Sequence, residues 1–226
     1  ITARTPDALY NGIAVVELIR SCIPNIKDPW SVTNVDLDAV LVAVKAASSP
    51  LGEMDIESQC PKCEDIATYK ANLAAMLGSM KASDFTKELN LGDLSVKFQP
   101  ISFKDINDAS LVQIEIQNIF IQSDNEQDDT KKSEMLQIGL KKLTELTMQL
   151  LSKSIAFIKT DTISVTEKEF IFDFLENCDR NIYIKIRDFS TELRKESELK
   201  PMKIKCSSCE HEYDQEITLN PSDFFE

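Results

Sequence analysis

The chain has 226 residues, 42% hydrophobic and 28% charged, enough for one ample core or two modest ones. Its net charge of −13 opposes tracking along a phosphate backbone, which needs clustered Lys and Arg to displace counterions. A single His and five Gly, none in a G-x-G-x-x-G or Walker loop, leave little for hydrolytic or phosphate-cradling chemistry, so a non-enzymatic protein is expected.

At the start, Thr5-Pro6-Asp7 reads as a helix beginning: a capping Thr, Pro at the first helical position, Asp in the positive first turn. Leu9, Ile13, Val16, Ile19 and Ile23 then recur three or four apart until Pro24 ends the pattern. Cys22, beside this stripe, reads as a small buried hydrophobe, as does Cys178 further on. No secretory pattern opens the chain. Because it starts at Ile1 rather than Met, residues upstream are expected and the signal question stays open. No apolar run approaches the roughly 18 residues of a membrane-spanning helix.

A second helix is expected from about Val35 to Ala47, broken by Ser48-Ser49-Pro50-Leu51-Gly52. A short strand and a Cys60-Pro61-Lys62-Cys63 turn follow. Lys70 to Met80 carries Leu73, Met76, Leu77 and Met80 at helical spacing, and Leu94 to Gln99 alternates like a strand. Lys104 to Ile121 reads as a helix with Ile106, Ala109, Val112, Ile116 and Ile119/Phe120 on one stripe. Residues 123–130 read as an exposed acidic loop. Lys131 to Ile158 reads as the longest helix, its stripe of Leu136, Leu140, Leu143, Leu146 and Leu150 suiting a helical hairpin with the preceding helix or a partner's helix, internal packing being the plainer reading. Thr166-Glu167-Lys168-Glu169 has the form of a capping box for a helix bearing Phe170, Ile171, Phe174 and Leu175. Arg180 to Glu198 completes the helical stretch with Ile182, Ile186, Phe189 and Leu193 inward. A second turn, Cys206-Ser207-Ser208-Cys209, precedes a tail whose Phe224 and Phe225 either dock on the core or engage a partner.

The two C-x-x-C turns share their surroundings. Each has an M-x-I-x lead-in (Met54 to Glu57, Met202 to Lys205), a Glu after the second Cys, and a Tyr a few residues on. Two residues between cysteines let a tight turn aim both sulfurs at one point, supplying half the ligands of a tetrahedral structural zinc. Four sulfurs leave no open position, which points to a structural rather than a catalytic metal. The expected site is Cys60, Cys63, Cys206 and Cys209, joined across the 142 residues from Glu64 to Lys205. A redox pair, an accidental coincidence or disulfides are the rival readings; neither turn opens a helix as a thioredoxin-like pair does. His211 is the one residue placed to replace a sulfur, and a strand-surface role is the plainer reading of it. Lys62, Lys203 and Lys205 are candidates to offset the thiolate charge.

The fold class expected is α+β: mainly helical, with a small antiparallel zinc-ribbon-like module built from the two distant knuckles. The regions read as 1–53, helical; 54–100, the first ribbon half plus a helix and a strand; 101–200, a helical insertion; and 201–226, the second half and tail.

Thr5-Pro6-Asp7-Ala8-Leu9-Tyr10-Asn11-Gly12, then Ile19-Arg20-Ser21-Cys22-Ile23-Pro24, then Asp36-Leu37-Asp38-Ala39-Val40-Leu41, stand in that order before Cys60-Pro61-Lys62-Cys63. Over roughly residues 3–75 this order resembles the baseplate hub-assembly family of T-even-like contractile-tailed bacteriophages. The resemblance implies a structural or assembly component of a tail baseplate hub, assembled in the bacterial host cytoplasm and located in the virion tail. Its partners would be other baseplate or tail proteins, or copies of itself, with no nucleic acid. The alternative is a zinc-ribbon adaptor of transcription or nucleic-acid machinery, against which the acidic balance weighs.

Overall fold

A computed structural model describes residues 12–217. In chain order its elements are α1 (Ile13–Cys22), α2 (Asn34–Ser48), β1 (Glu53–Gln59), β2 (Ile66–Asn72), α3 (Leu73–Ser79), β3 (Glu88–Leu91) and β4 (Leu94–Phe98). There follow α4 (Phe103–Asn125), α5 (Asp129–Ser154), β5 (Ile155–Lys159), β6 (Ser164–Val165), α6 (Lys168–Asn177), α7 (Arg180–Lys195), β7 (Met202–Lys205) and β8 (Glu212–Gln215). The described residues are thus α+β, more than half helical, with small antiparallel sheets. The Thr5 helix start and the Phe224–Phe225 tail lie outside the described residues.

The chain divides into two compact units, one from 1–83 with 196–226 and one from Asp84–Lys195. In the first, α1 buries Ala14, Val15, Val16 and Ile19. Cys22, at the last position of α1 and off that stripe, is exposed rather than buried. β1 and β2 form one antiparallel hairpin, β7 and β8 another. The helix expected from Lys70 starts only at Leu73, because Lys70 to Asn72 continue the ladder opposite Glu53–Asp55. The Asn72 side chain then caps α3, accepting a hydrogen bond from the Ala75 N–H at 2.8 Å. Val42, Met54, Ala71, Leu73 and Met76 form a core against which Met202 and Ile217 pack, so both hairpins share it.

The second unit is built on a four-stranded antiparallel sheet ordered β3-β4-β5-β6. Its core joins Val96 and Phe98 of β4 and Ile155 and Ile158 of β5 to Ile171 and Leu175 of α6 and Ile186 and Leu193 of α7. The long helix expected from Lys131 to Ile158 ends at Ser154. Ile155 to Lys159 is instead a sheet strand, because an apolar run directly after a helix carries helical spacing while its β-branched residues suit the ladder. Of the apolar residues on α6, Ile171 and Leu175 are buried while Phe170 is exposed. The capping box expected at Thr166 is absent: Glu167 caps α6 without a side-chain bond. One does form at Ser102 and Asp105, opening α4. The acidic loop shrinks to residues 126–128, since Ser123 is buried at the end of α4 and Asp128 caps α5 through the Thr130 and Lys131 N–H groups.

α4 and α5 form the expected hairpin around Ala109, Ile116 and Leu146. The expected leucine stripe is only partly inward. Leu140 and Leu143 are exposed, while Gly139 faces α4 so closely that a Cβ there would meet the Phe120 ring at 2.7 Å.

Candidate metal centre

Cys60 and Cys63 lie in the turn between β1 and β2, Cys206 and Cys209 in the turn between β7 and β8. The two turns are built alike. The Cys60 N–H donates to the Asp65 carbonyl and the Glu64 N–H to the Cys60 carbonyl, both at 2.9 Å. At the same offsets, the Cys206 N–H donates to the His211 carbonyl at 2.9 Å and the Glu210 N–H to the Cys206 carbonyl at 3.0 Å. Among the described residues, Glu64 (φ 60°) and Glu210 (φ 57°) are the non-glycine positions with left-handed backbone. The Glu repeated after each second Cys is therefore the residue that turns the chain back into its strand. That conformation is uncommon outside glycine and is held here by the closing bonds.

The four sulfurs converge. Cys60 Sγ lies 3.7 Å from Cys209 Sγ and Cys63 Sγ 3.6 Å from Cys206 Sγ, with all four within 4.8 Å of one another. A tetrahedral zinc with sulfurs at about 2.3 Å sets them about 3.8 Å apart, so the donor set and its spacing fit that ion. The same distances are far beyond the roughly 2.05 Å of a disulfide, and all four thiols are free. Cys60 and Cys206 are buried, Cys209 partly so, and Cys63 faces solvent.

Local dipoles already favour charge on one sulfur. Burial raises the Cys60 thiol, but the backbone N–H groups of Cys63 and Lys62, with the thiols of Cys63 and Cys209, bring it down to about 7. For Cys63 the Asp65 N–H pulls downward, yet the sulfurs of Cys209, Cys60 and Cys206, together with burial, push it up to about 12. Four crowded sulfurs cannot all ionise without a cation among them.

A second ring of contacts ties the hairpins together. The Ser208 hydroxyl donates to Asp65 Oδ2 at 2.5 Å, bridging the two turns. Ser58, buried on β1, lies 2.9 Å from the Tyr213 hydroxyl and donates to Gln215 Oε1 at 2.5 Å. Sequence reasoning noted the Tyr repeat but missed Ser58, Asp65 and Ser208, since single polar residues carry no spacing signal. His211 stacks on Tyr213 with ring centroids 6.2 Å apart and stands outside the sulfur cluster. Lys205 is paired with Glu210 at 3.3 Å across its own turn, while Lys62 and Lys203 are exposed.

Among the described residues no helix is long and apolar enough to cross a membrane. A family model described as "T4 bacteriophage base plate protein" matches residues 2–226, well past the residue 75 or so reached by the short motifs. No curated protein and no solved structure matches the chain.

Proposed function

The chain belongs to the T4 bacteriophage base plate protein family, and on that footing we propose that it is a structural or assembly component of the tail baseplate hub. It works through contacts with other baseplate proteins and is put together in the host cytoplasm before taking its place in the tail. We assign it no catalytic role. The family match over residues 2–226 carries this reading.

We propose further that Cys60, Cys63, Cys206 and Cys209 hold one structural zinc. The convergence of four sulfurs at the spacing of a tetrahedral site supports it. Zinc there would supply cross-linking rather than chemistry, since four protein ligands leave no place for water or substrate. Each hairpin alone is marginal in water, as two-stranded sheets are. A shared ion would fasten the chain on either side of residues 84–195, making that unit an insertion in a metal-closed base. The redox and disulfide readings lose ground to the closeness of all four thiols rather than of one pair.

The partner reading is tested by affinity capture of the tagged protein from phage-infected cells, followed by mass spectrometry. Recovery of baseplate proteins is expected. Recovery of host transcription proteins alone would contradict it.

A further inference from the structure

On β1 the inward positions alternate with exposed Asp55 and Glu57: Met54 is 7% exposed, Ile56 half-buried and Ser58 4% exposed. A serine at the third of these is costly, because a buried hydroxyl without a partner loses free energy that an aliphatic side chain would not. Its partners both lie across the interface, on β8. Ser58 has one O–H to give and gives it to Gln215 Oε1 at 2.5 Å. The Tyr213 hydroxyl, 2.9 Å away, is therefore the donor in its own bond to Ser58. Gln215 is held in the required orientation by its Nε2, which donates to the Glu216 carbonyl at 2.8 Å. Tyr69 of β2 adds its hydroxyl beside the Tyr213 hydroxyl and the N–H of Ser207, inside the second knuckle.

The apolar contacts nearby cannot fix the alignment in the same way. Met202 and Ile217 pack on a core that includes Met54 and Ala71, and such packing has no preferred direction. A hairpin that slipped by two residues along its neighbour would keep its apolar face inward while moving about 6.6 Å. The sulfurs of one tetrahedral zinc stand about 3.8 Å apart, so that slip would take one knuckle out of reach of the ion. Directional bonds to a buried hydroxyl are what the slipped arrangement would lose.

Resting on the reading of the four cysteines as one metal centre, we propose that Ser58 is a positioning residue for it. Its bonds to Tyr213 and Gln215 hold the second hairpin in the one register at which all four sulfurs converge. Without them the hairpins stay in contact but divide their time among registers, and the ion binds only the fraction correctly aligned. A lone buried polar group sets register here as it does in the seam of a coiled coil.

The test is titration of the full-length, metal-free protein with cobalt(II), whose visible absorption reports four-thiolate coordination, followed by competition with zinc. Circular dichroism checks folding. Ser58→Ala and Tyr213→Phe each remove one hydroxyl and little packing. At saturation both should show the wild-type spectrum, because neither residue touches the ion. Each should bind the metal about tenfold or more weakly. The double variant should bind no more than about twofold weaker than Ser58→Ala, since both changes break the same bond. Affinity within about twofold of wild type in either folded variant overturns the proposal and leaves the metal centre standing. Losses that multiply in the double variant overturn it as well. A wild type without the four-thiolate spectrum would instead overturn the metal centre, and this role of Ser58 with it. Should Ser58→Ala not fold, Tyr213→Phe alone decides.

Discussion

The two units solve the stability problem differently. In the 84–195 unit, Ile155, Ile171 and Ile186 are fully buried in a core that draws on both the sheet and the helices. Burial of that kind stabilises by roughly 25 cal/mol per Å2 of apolar surface and needs no cofactor. In the other unit, two hairpins more than a hundred residues apart in sequence share a small apolar core, but their turns are joined by four sulfurs and a few side-chain hydrogen bonds. A core can be assembled from any residues with the right pattern, whereas a closure between distant hairpins depends on a few particular atoms. The first should tolerate chelators and respond to methylene deletions; the second should do the reverse.

The largest effect is expected from Cys206→Ser. Losing one of four ligands should abolish metal binding and with it the cooperative melting of the unit formed by 1–83 and 196–226. The melting of the 84–195 unit should persist, and calorimetry of wild type, variant and chelator-treated protein would separate the two transitions. A single transition lost as a whole would break the contrast.

Ile186→Ala probes the other side. It removes a fully buried side chain from the apolar core and should cost about 3 kcal/mol, read by denaturant unfolding. Zinc content should be unchanged. A loss of metal in this variant would mean that the units are energetically one body.

The smallest effect concerns Asp105, whose carboxylate caps α4 together with Ser102 and meets Lys153 Nζ at 2.7 Å. Burial raises its pKa, but the Lys153 and Ser102 bonds outweigh that and hold the carboxyl below its ordinary value. A depressed folded pKa contributes stability that is present above the unfolded value, about 3.9, and lost as pH falls through the folded one. Asp105→Ala should therefore cost about 1 kcal/mol at neutral pH and converge on wild type in strong acid. Unfolding curves at the two pH values would check it, and a penalty independent of pH would assign the effect to packing instead.

Much of this was legible in the chain because the relevant signals repeat. The cysteine turns announce themselves through duplicate flanks, and the stripes of α4 and α7 through helical periodicity. What escaped is what periodicity cannot encode. Ile155 to Ile158 continues the apolar spacing of α5 without a Gly or Pro to mark the change, and only pairing with β4 makes it a strand. β3 and β6 are four and two residues long, too short to show alternation. The capping pattern occurs at both Ser102 and Thr166, but only the first lies where the chain enters a helix with its side chain turned toward the free N–H groups. Leu140 and Leu143 sit on a leucine stripe yet point outward, because Gly139 draws the hairpin contact to itself.

The central claim is that the two knuckles share one ion. Its most direct test is the zinc content of the purified full-length chain beside Cys60→Ser and Cys206→Ser. The account predicts one zinc per chain, lost in each single variant along with the thermal stability of the hairpin-bearing unit. A wild type without zinc, or zinc that survives either substitution, would contradict it.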